Sequence, residues 1–307
     1  MELNQGWIYR DRITARYQGW TVLDYYSACY RHSSREVWGD RLLQGQIYLD
    51  DEPTTGTRVL ASGQTLTYHR PPWCEPVAPL DFTVLYGDPD FLLVAKPSGL
   101  PVLPGGGFLE HTLLFQLKQQ YPDIAPIHRL GRGTSGIMLW ARTPSARQEL
   151  SRQIREREMV KIYRALVEDW SHGERLTITQ PISKLPHPTL GTVYGATPAG
   201  MAAESRVEVV GEKDGVILAV TIPTGRPHQI RIHLAAAGHP LLGDPLYVVG
   251  GGVNLSLNPE TGTYAVPGDC GYWLHAHRLT FAHPRTGEPL TFECLPPPPL
   301  AGSSCEF

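Results

Sequence analysis

The nine residues Pro71-Pro72-Trp73-Cys74-Glu75-Pro76-Val77-Ala78-Pro79 carry four prolines. Proline has no N–H to donate and fixes φ, so this stretch can run neither as a regular helix nor as a central strand. It reads as a linker over residues 71–79, between a first unit of residues 1–70 and a larger one from residue 80. A chain of 307 residues is long enough to hold a small domain beside a larger one.

In the first unit, Ser33-Ser34-Arg35-Glu36 has the pattern of a helix start, with Ser33 as N-cap and Glu36 three places on. Val37, Leu42 and Leu43 follow near helical spacing, and Gly45 ends the helix. Gln46-Ile47-Tyr48-Leu49-Asp50 alternates like a strand and meets the turn-prone Asp51-Glu52-Pro53. Gly63-Gln64-Thr65-Leu66-Thr67-Tyr68 predicts a second strand. This helix, strand and turn resemble the small RNA-binding module named after a ribosomal small-subunit protein (S-four-like). A generic small α+β domain is the other reading.

Beyond the prolines, from Asp81 to about Cys294, short strands are interspersed with a few helices. Phe91-Leu92-Leu93-Val94-Ala95 and Ile137-Met138-Leu139-Trp140-Ala141 are apolar runs of strand length. Thr143 and Pro144 open a helix, with threonine as N-cap and proline at the first helical position. Ala146, Leu150 and Ile154 form its inner stripe, and arginines populate the rest. Residues 161–167, 206–210 and 216–220 read as strands, and His228 to Ala237 as a short helix closed by Gly238. The pattern predicts an α+β fold, a mostly antiparallel mixed sheet with flanking helices over residues 80–295. Pro296 to Pro299 predict an extended or disordered tail over residues 296–307.

At 41% hydrophobic and 19% charged, the chain has the balance of an ordinary soluble globular protein. No apolar run approaches the roughly 18 residues needed to cross a bilayer. Met1 to Trp7 resembles neither a signal peptide nor a transit peptide. Five scattered cysteines predict a reducing, cytoplasmic setting rather than a disulfide framework. The net charge of −3 gives no general affinity for nucleic acid. Between His128 and Arg164, however, nine basic residues stand against three glutamates, a local surplus of +6. A solvated helix face and a phosphate-binding surface both fit that surplus. Gly105-Gly106-Gly107 lacks the Gly-Lys-Ser/Thr of a nucleotide loop. Cys270, His275, His277 and His283 match no zinc-finger spacing, so no metal is expected.

Six blocks then follow in order. Tyr86-Gly87-Asp88 and Phe91 to Leu100 form a strand that ends in Lys96-Pro97-Ser98-Gly99. Next come His128-Arg129-Leu130-Gly131-Arg132-Gly133-Thr134-Ser135-Gly136 and Lys161-Ile162-Tyr163-Arg164-Ala165. Gly225-Arg226-Pro227-His228-Gln229-Ile230-Arg231-Ile232-His233 is followed by Gly238 to Tyr247. Leu274-His275-Ala276 with Phe281-Ala282-His283-Pro284 completes the set. Together they resemble the RNA pseudouridine synthases of the RluA/RluD-like branch, over residues 80–285. The catalytic loop of that branch reads His-Arg-Leu-Asp, two free positions, then Thr-Ser-Gly. Where the pattern has its aspartate, this chain has Gly131.

The resemblance implies an isomerase that converts uridine to pseudouridine in structured RNA, ribosomal or transfer. It implies no metal or organic cofactor, and a monomer is expected. Arg129 is implied as the arginine that enters the space left by an everted uridine. Tyr163 would pack on the base, and Arg231 would pair with the catalytic carboxylate. Arg132, Arg226, His228 and Gln229 are implied as further RNA contacts. Extracting a stacked base costs a few kcal/mol, which phosphate contacts offset. Gly131 can neither attack, accept a proton, nor pair with Arg231. Losing a nucleophile costs on the order of a million-fold in rate, and tighter uniform binding does not compensate. Two readings follow. Another carboxylate takes the role, from among Asp244, Asp88, Asp90, Glu110 and Asp123; or the chain is a catalytically degenerate RNA-binding or RNA-folding protein on the same scaffold.

Overall fold

The structure, a computed structural model, describes residues 2–301. It divides into two compact units, Met1–Glu75 and Pro76–Phe307. The first contains β1 (Trp7–Arg12), α1 (Val22–Cys29), α2 (Arg35–Leu43), β2 (Ile47–Leu49), β3 (Glu52–Pro53) and β4 (Thr65–Arg70). Its four strands pair antiparallel in the order β1-β4-β2-β3. Tyr25 and Tyr26 of α1 and Trp38 and Leu42 of α2 bury themselves with Ile47, Leu49, Leu66 and Tyr68 of the sheet.

Helix α2 starts one residue later than expected. Ser34, not Ser33, caps it, accepting from the Val37 N–H at 3.3 Å. Ser33 instead accepts from Arg41 at 3.1 Å. The buried stripe is Trp38 and Leu42, while Val37 and Leu43 are exposed. Neighbouring positions on a helix point about 100° apart, and the large indole takes the core-facing one. Helix α1 has no counterpart in the expectations. Its sequence, Val-Leu-Asp-Tyr-Tyr-Ser-Ala-Cys, is apolar or aromatic around most of its circumference, so no helical period stands out.

The second unit opens with β5 (Thr83–Gly87), β6 (Phe91–Lys96), α3 (Leu113–Lys118), β7 (Ala125–Pro126), β8 (Ser135–Ala141) and α4 (Pro144–Arg155). There follow β9 (Val160–Val167), β10 (Arg175–Ile178), β11 (Ile182–His187), β12 (Gly191–Ala196), β13 (Ser205–Glu212) and β14 (Val216–Thr221). Helix α5 (Gln229–Ala236), β15 (Leu274–Ala282) and β16 (Pro289–Glu293) complete it. A ten-stranded sheet runs β10-β13-β14-β9-β15-β8-β6-β5, with β7 on β8 and β16 on β15. Strands β8 and β15 pair parallel. The other pairs are antiparallel. Strands β11 and β12 form a separate hairpin.

Strand β6 is an unbroken apolar run because both its faces are covered. Leu92 and Val94 lie in a cluster with Leu113 and Leu117 of α3 and Ile230 and Leu234 of α5. Phe91 and Leu93 lie in another with Ala146 and Leu150 of α4. Thr143 caps α4 by accepting from the Ala146 N–H at 3.1 Å, as the Thr-Pro start predicts. At Gly136, where β8 meets β15, a Cβ would lie 2.2 Å from the Ala276 carbonyl oxygen, and φ is +107°. Only glycine fits there.

The run of prolines near the end does not leave the chain loose. Pro298–Leu300 form a 3-10 turn, and Leu300 is buried with Leu166 and Ile217. Burying one such leucine is worth about 1.5–3 kcal/mol, enough to dock a short segment. Residues 302–307 of the expected tail lie outside the described residues. Among the described residues no helix is long and apolar enough to cross a membrane.

Candidate active site

A cavity of about 600 Å³ opens in the second unit. In its wall stand residues 127–132 with Thr134, then Lys161 and Tyr163 of β9, residues 225–231 at the start of α5, and Tyr272 just ahead of β15. Sheet order explains the gathering. Strand β15 lies between β9 and β8, so the loop entering β8, the tyrosine of β9 and the chain entering β15 are neighbours.

The loop is braced by the Lys-Pro-Ser-Gly turn. Lys96 is buried and donates to the carbonyls of Pro97, Leu100 and Arg132 at 2.8, 2.8 and 3.0 Å. Three acceptors match the three hydrogens of an ammonium group. Ser98 Oγ donates to the Gly133 carbonyl at 2.7 Å. Within the loop, the Thr134 N–H closes onto the Gly131 carbonyl at 3.1 Å. His128 Nε2 accepts from the Leu139 N–H at 3.1 Å. A backbone N–H can only donate, so that nitrogen is unprotonated. Burial, with Lys161 nearby, pushes the ring pKa down to about 4.

Arg231 is buried and fully engaged. Nε and one terminal nitrogen each donate to Asp244 at 2.7 Å, and the other terminal nitrogen donates to the Pro267 carbonyl at 3.1 Å. The guanidinium lies 4.1 Å from the Tyr272 ring centre and 4.9 Å from that of Tyr247. Asp244 also accepts from the N–H groups of Leu246 and Tyr247, at 2.9 and 3.1 Å. The carboxylate partner of Arg231 therefore comes from the Gly-Asp-Pro turn. The two-point geometry is the strong form of such a pair.

None of the five candidate acids stands in the cavity wall. Asp88 faces His283 at 3.0 Å, and Asp90 holds Arg285 through contacts of 2.8 and 2.6 Å. Asp123 lines a separate hollow of about 280 Å³. His275 and His277 both hydrogen-bond to the Cys294 carbonyl, at 3.1 and 2.9 Å.

Tyr163 is buried, and burial pushes its hydroxyl up to about 12. His228 adopts a left-handed φ of 54° and places Nδ1 2.7 Å from the Tyr247 hydroxyl. Burial and the Arg231 charge push its pKa down to about 4. Gln229 is held at both ends of its amide. Its carbonyl accepts from Thr224 Oγ1 at 2.8 Å and from the Arg226 N–H at 3.0 Å. Its amide nitrogen donates to the Glu204 carbonyl at 2.7 Å and to Ser205 Oγ at 3.1 Å. These hydrogen bonds inside the fold shape the 224–229 turn.

The charged segment also resolves into parts. Arg152 gathers Glu149, Glu156 and Glu158. Of the remaining cations of that segment, Arg129, Arg132 and Lys161 line the cavity, joined by Arg226 from the α5 side. Arg129 is exposed. Arg132 Nε donates to the Gly268 carbonyl at 2.7 Å, and Arg226 Nε to that of Ala202 at 3.1 Å. Sequence reasoning passed over Tyr272 altogether. It lies between Gly271 and an exposed Trp273, ahead of a strand, where no periodicity marks it.

A cationic cavity at the strand ends of a mixed sheet, with a buried tyrosine and an ion-paired arginine in its wall, points to the RNA pseudouridylate synthases. Residues 90–236 match the family model described as RNA pseudouridylate synthase. An uncharacterized RNA pseudouridine synthase of Synechocystis sp. is 47% identical over 282 residues, covering 91% of this chain and 95% of that one. The ribosomal large subunit pseudouridine synthase D of Vibrio parahaemolyticus is 31% identical over 278 residues, covering 86% of this chain and 83% of that one. A solved human structure, RNA pseudouridylate synthase domain containing 1, superposes with a TM-score of 0.56 at 25% identity, over 73% of this chain and 87% of that one. The chain belongs to the RNA pseudouridine synthase family.

Proposed function

We propose that this chain isomerises uridine to pseudouridine in structured RNA, ribosomal or transfer, inside the 600 Å³ cavity. One observation carries the reading: the 128–134 loop, Tyr163 and Arg231 share a single wall. A volume of that order suits one small ligand or one everted nucleotide. Arg129 would fill the space the uridine leaves, and Tyr163 would pack on the base. Arg132, Lys161 and Arg226 would meet phosphates. The Vibrio relative is named for the large ribosomal subunit, which supports ribosomal RNA as the first substrate to try. The four described cysteines are unpaired, which suits a reducing cytoplasm, where the protein would act as a monomer.

The test is tritium release from RNA carrying uridine labelled at C5, using ribosomal and transfer RNA separately. Release from one class is expected, with Tyr163→Ala and Arg129→Ala each reducing it at least about a hundredfold. No release from any cellular RNA class would overturn the reading.

A further inference from the structure

One side chain occupies the space that two loop glycines leave open. A Cβ on Gly131 would lie 2.9 Å from the Tyr272 hydroxyl oxygen and 3.4 Å from Thr134 Oγ1. A Cβ on Gly133 would lie 2.9 Å from Cζ of the same tyrosine. The ring and the two glycines are therefore one packing unit, and a side chain at either position would displace the phenol. Tyr272 is 4% exposed. Its hydroxyl lies 3.3 Å from Thr134 Oγ1, and the Arg231 guanidinium lies 4.1 Å from its ring centre.

The cavity wall holds no carboxylate. Its side-chain oxygens that can become anionic are the phenols of Tyr163 and Tyr272. They differ in surroundings. Burial alone acts on Tyr163, and it disfavours the anion. Burial is the larger influence at Tyr272 too and raises its pKa; the Arg231 charge and the Thr134 hydroxyl oppose it, while Asp244 and Cys270 add to the rise.

We propose that Tyr272 supplies the oxygen that bonds to C1′ of the everted uridine. This rests on the isomerase reading above. A tyrosine nucleophile at a sugar carbon has a counterpart in the sialidases. The phenol first gives its proton to solvent water. The phenolate oxygen then forms a bond to C1′ while the C1′–N1 bond breaks, and that electron pair stays on the uracil ring. The freed uracil anion turns, and C5 forms its bond to C1′. The C1′–oxygen bond breaks and returns its pair to Tyr272. The proton on C5 leaves to water and N1 takes one up, so the sum is an isomerisation. Nothing is oxidised or reduced.

The experiment uses the full chain and an RNA that the wild type modifies, under single turnover. Tyr272→Phe is expected to slow tritium release about a thousandfold or more, with RNA affinity and melting temperature unchanged. A second variant carries 3-fluorotyrosine at the same position, a stronger acid of nearly the same shape. Wild-type rate should rise toward alkaline pH, and the fluorinated protein should shift that rise to lower pH. Packing alone would not move a pH profile. A Tyr272→Phe protein as fast as wild type overturns the proposal and leaves the isomerase reading standing. So does a slow Tyr272→Phe protein beside a fluorinated one with an unmoved profile. Wild-type protein that modifies no RNA overturns both.

Discussion

Arg231 and Asp244 face each other where water does not reach, with side-chain exposures of 2% and 0%. Removing one partner of such a pair strands a buried charge and costs about 3–5 kcal/mol. Asp244→Ala is expected to lower the unfolding free energy by about that much in a urea titration. A loss below about 1 kcal/mol would place the pair with ordinary surface ion pairs. Three histidines add a pH dependence. His128, His228 and His275 are each held neutral, their pKa values pushed down to about 4 chiefly by burial. His275 is locked between Ser135 Oγ at 2.9 Å and the Cys294 carbonyl at 3.1 Å. An unfolded histidine takes its proton near about 6.5. The folded value is the depressed one, so the unfolded state binds more protons between about 6.5 and 4. Stability is therefore full above that window and falls as pH falls through it. Thermal midpoints should drop from about pH 7 to about pH 4, and His275→Gln should flatten the drop. At this scale the sequence marks Tyr163 and Arg231 through their blocks. It offers Asp244 as one of five candidate acids without pairing it to Arg231, and it does not mark Tyr272, because those contacts join residues without a shared local pattern.

Among the elements, α4 was legible because its signals are local: Thr143 at the cap, Pro144 after it, and a stripe of Ala146, Leu150 and Ile154. Thr143→Ala removes the acceptor for the Ala146 N–H and should cost about 1 kcal/mol by chemical denaturation. Helix α1 was missed because its aromatic residues hide the helical period, and its Thr21 cap, 3.1 Å from the Asp24 N–H, lacks a glutamate or glutamine at the capping-box position. Strand β8 depends on one glycine. Gly136→Ala would set a methyl group against the Ala276 backbone and strain a left-handed φ. A loss of at least about 3 kcal/mol is expected, seen as a lowered melting temperature. Activity should fall with it, because the 128–134 loop runs directly into this strand.

Across the molecule, a net charge of −3 coexists with a cavity lined by Arg129, Arg132, Lys161 and Arg226. Binding to RNA should therefore be local and salt-dependent. The logarithm of affinity should fall linearly with the logarithm of salt concentration, and Arg226→Ala should reduce that slope by about one charge. Filter binding over a salt series measures both. The sequence by itself determined the α+β class, five of the ten strands of the large sheet, α4, α5 and the identity of the loop. Each is written in neighbouring residues, as an apolar period, a cap or a motif. Only the tertiary structure decided that Asp244 neutralises Arg231 and that Tyr272 fills the place beside Gly131. The parallel pairing of β8 with β15 sets residue 135 against residue 275. Which distant side chains then meet depends on sheet order and packing, and no short-range pattern carries that information.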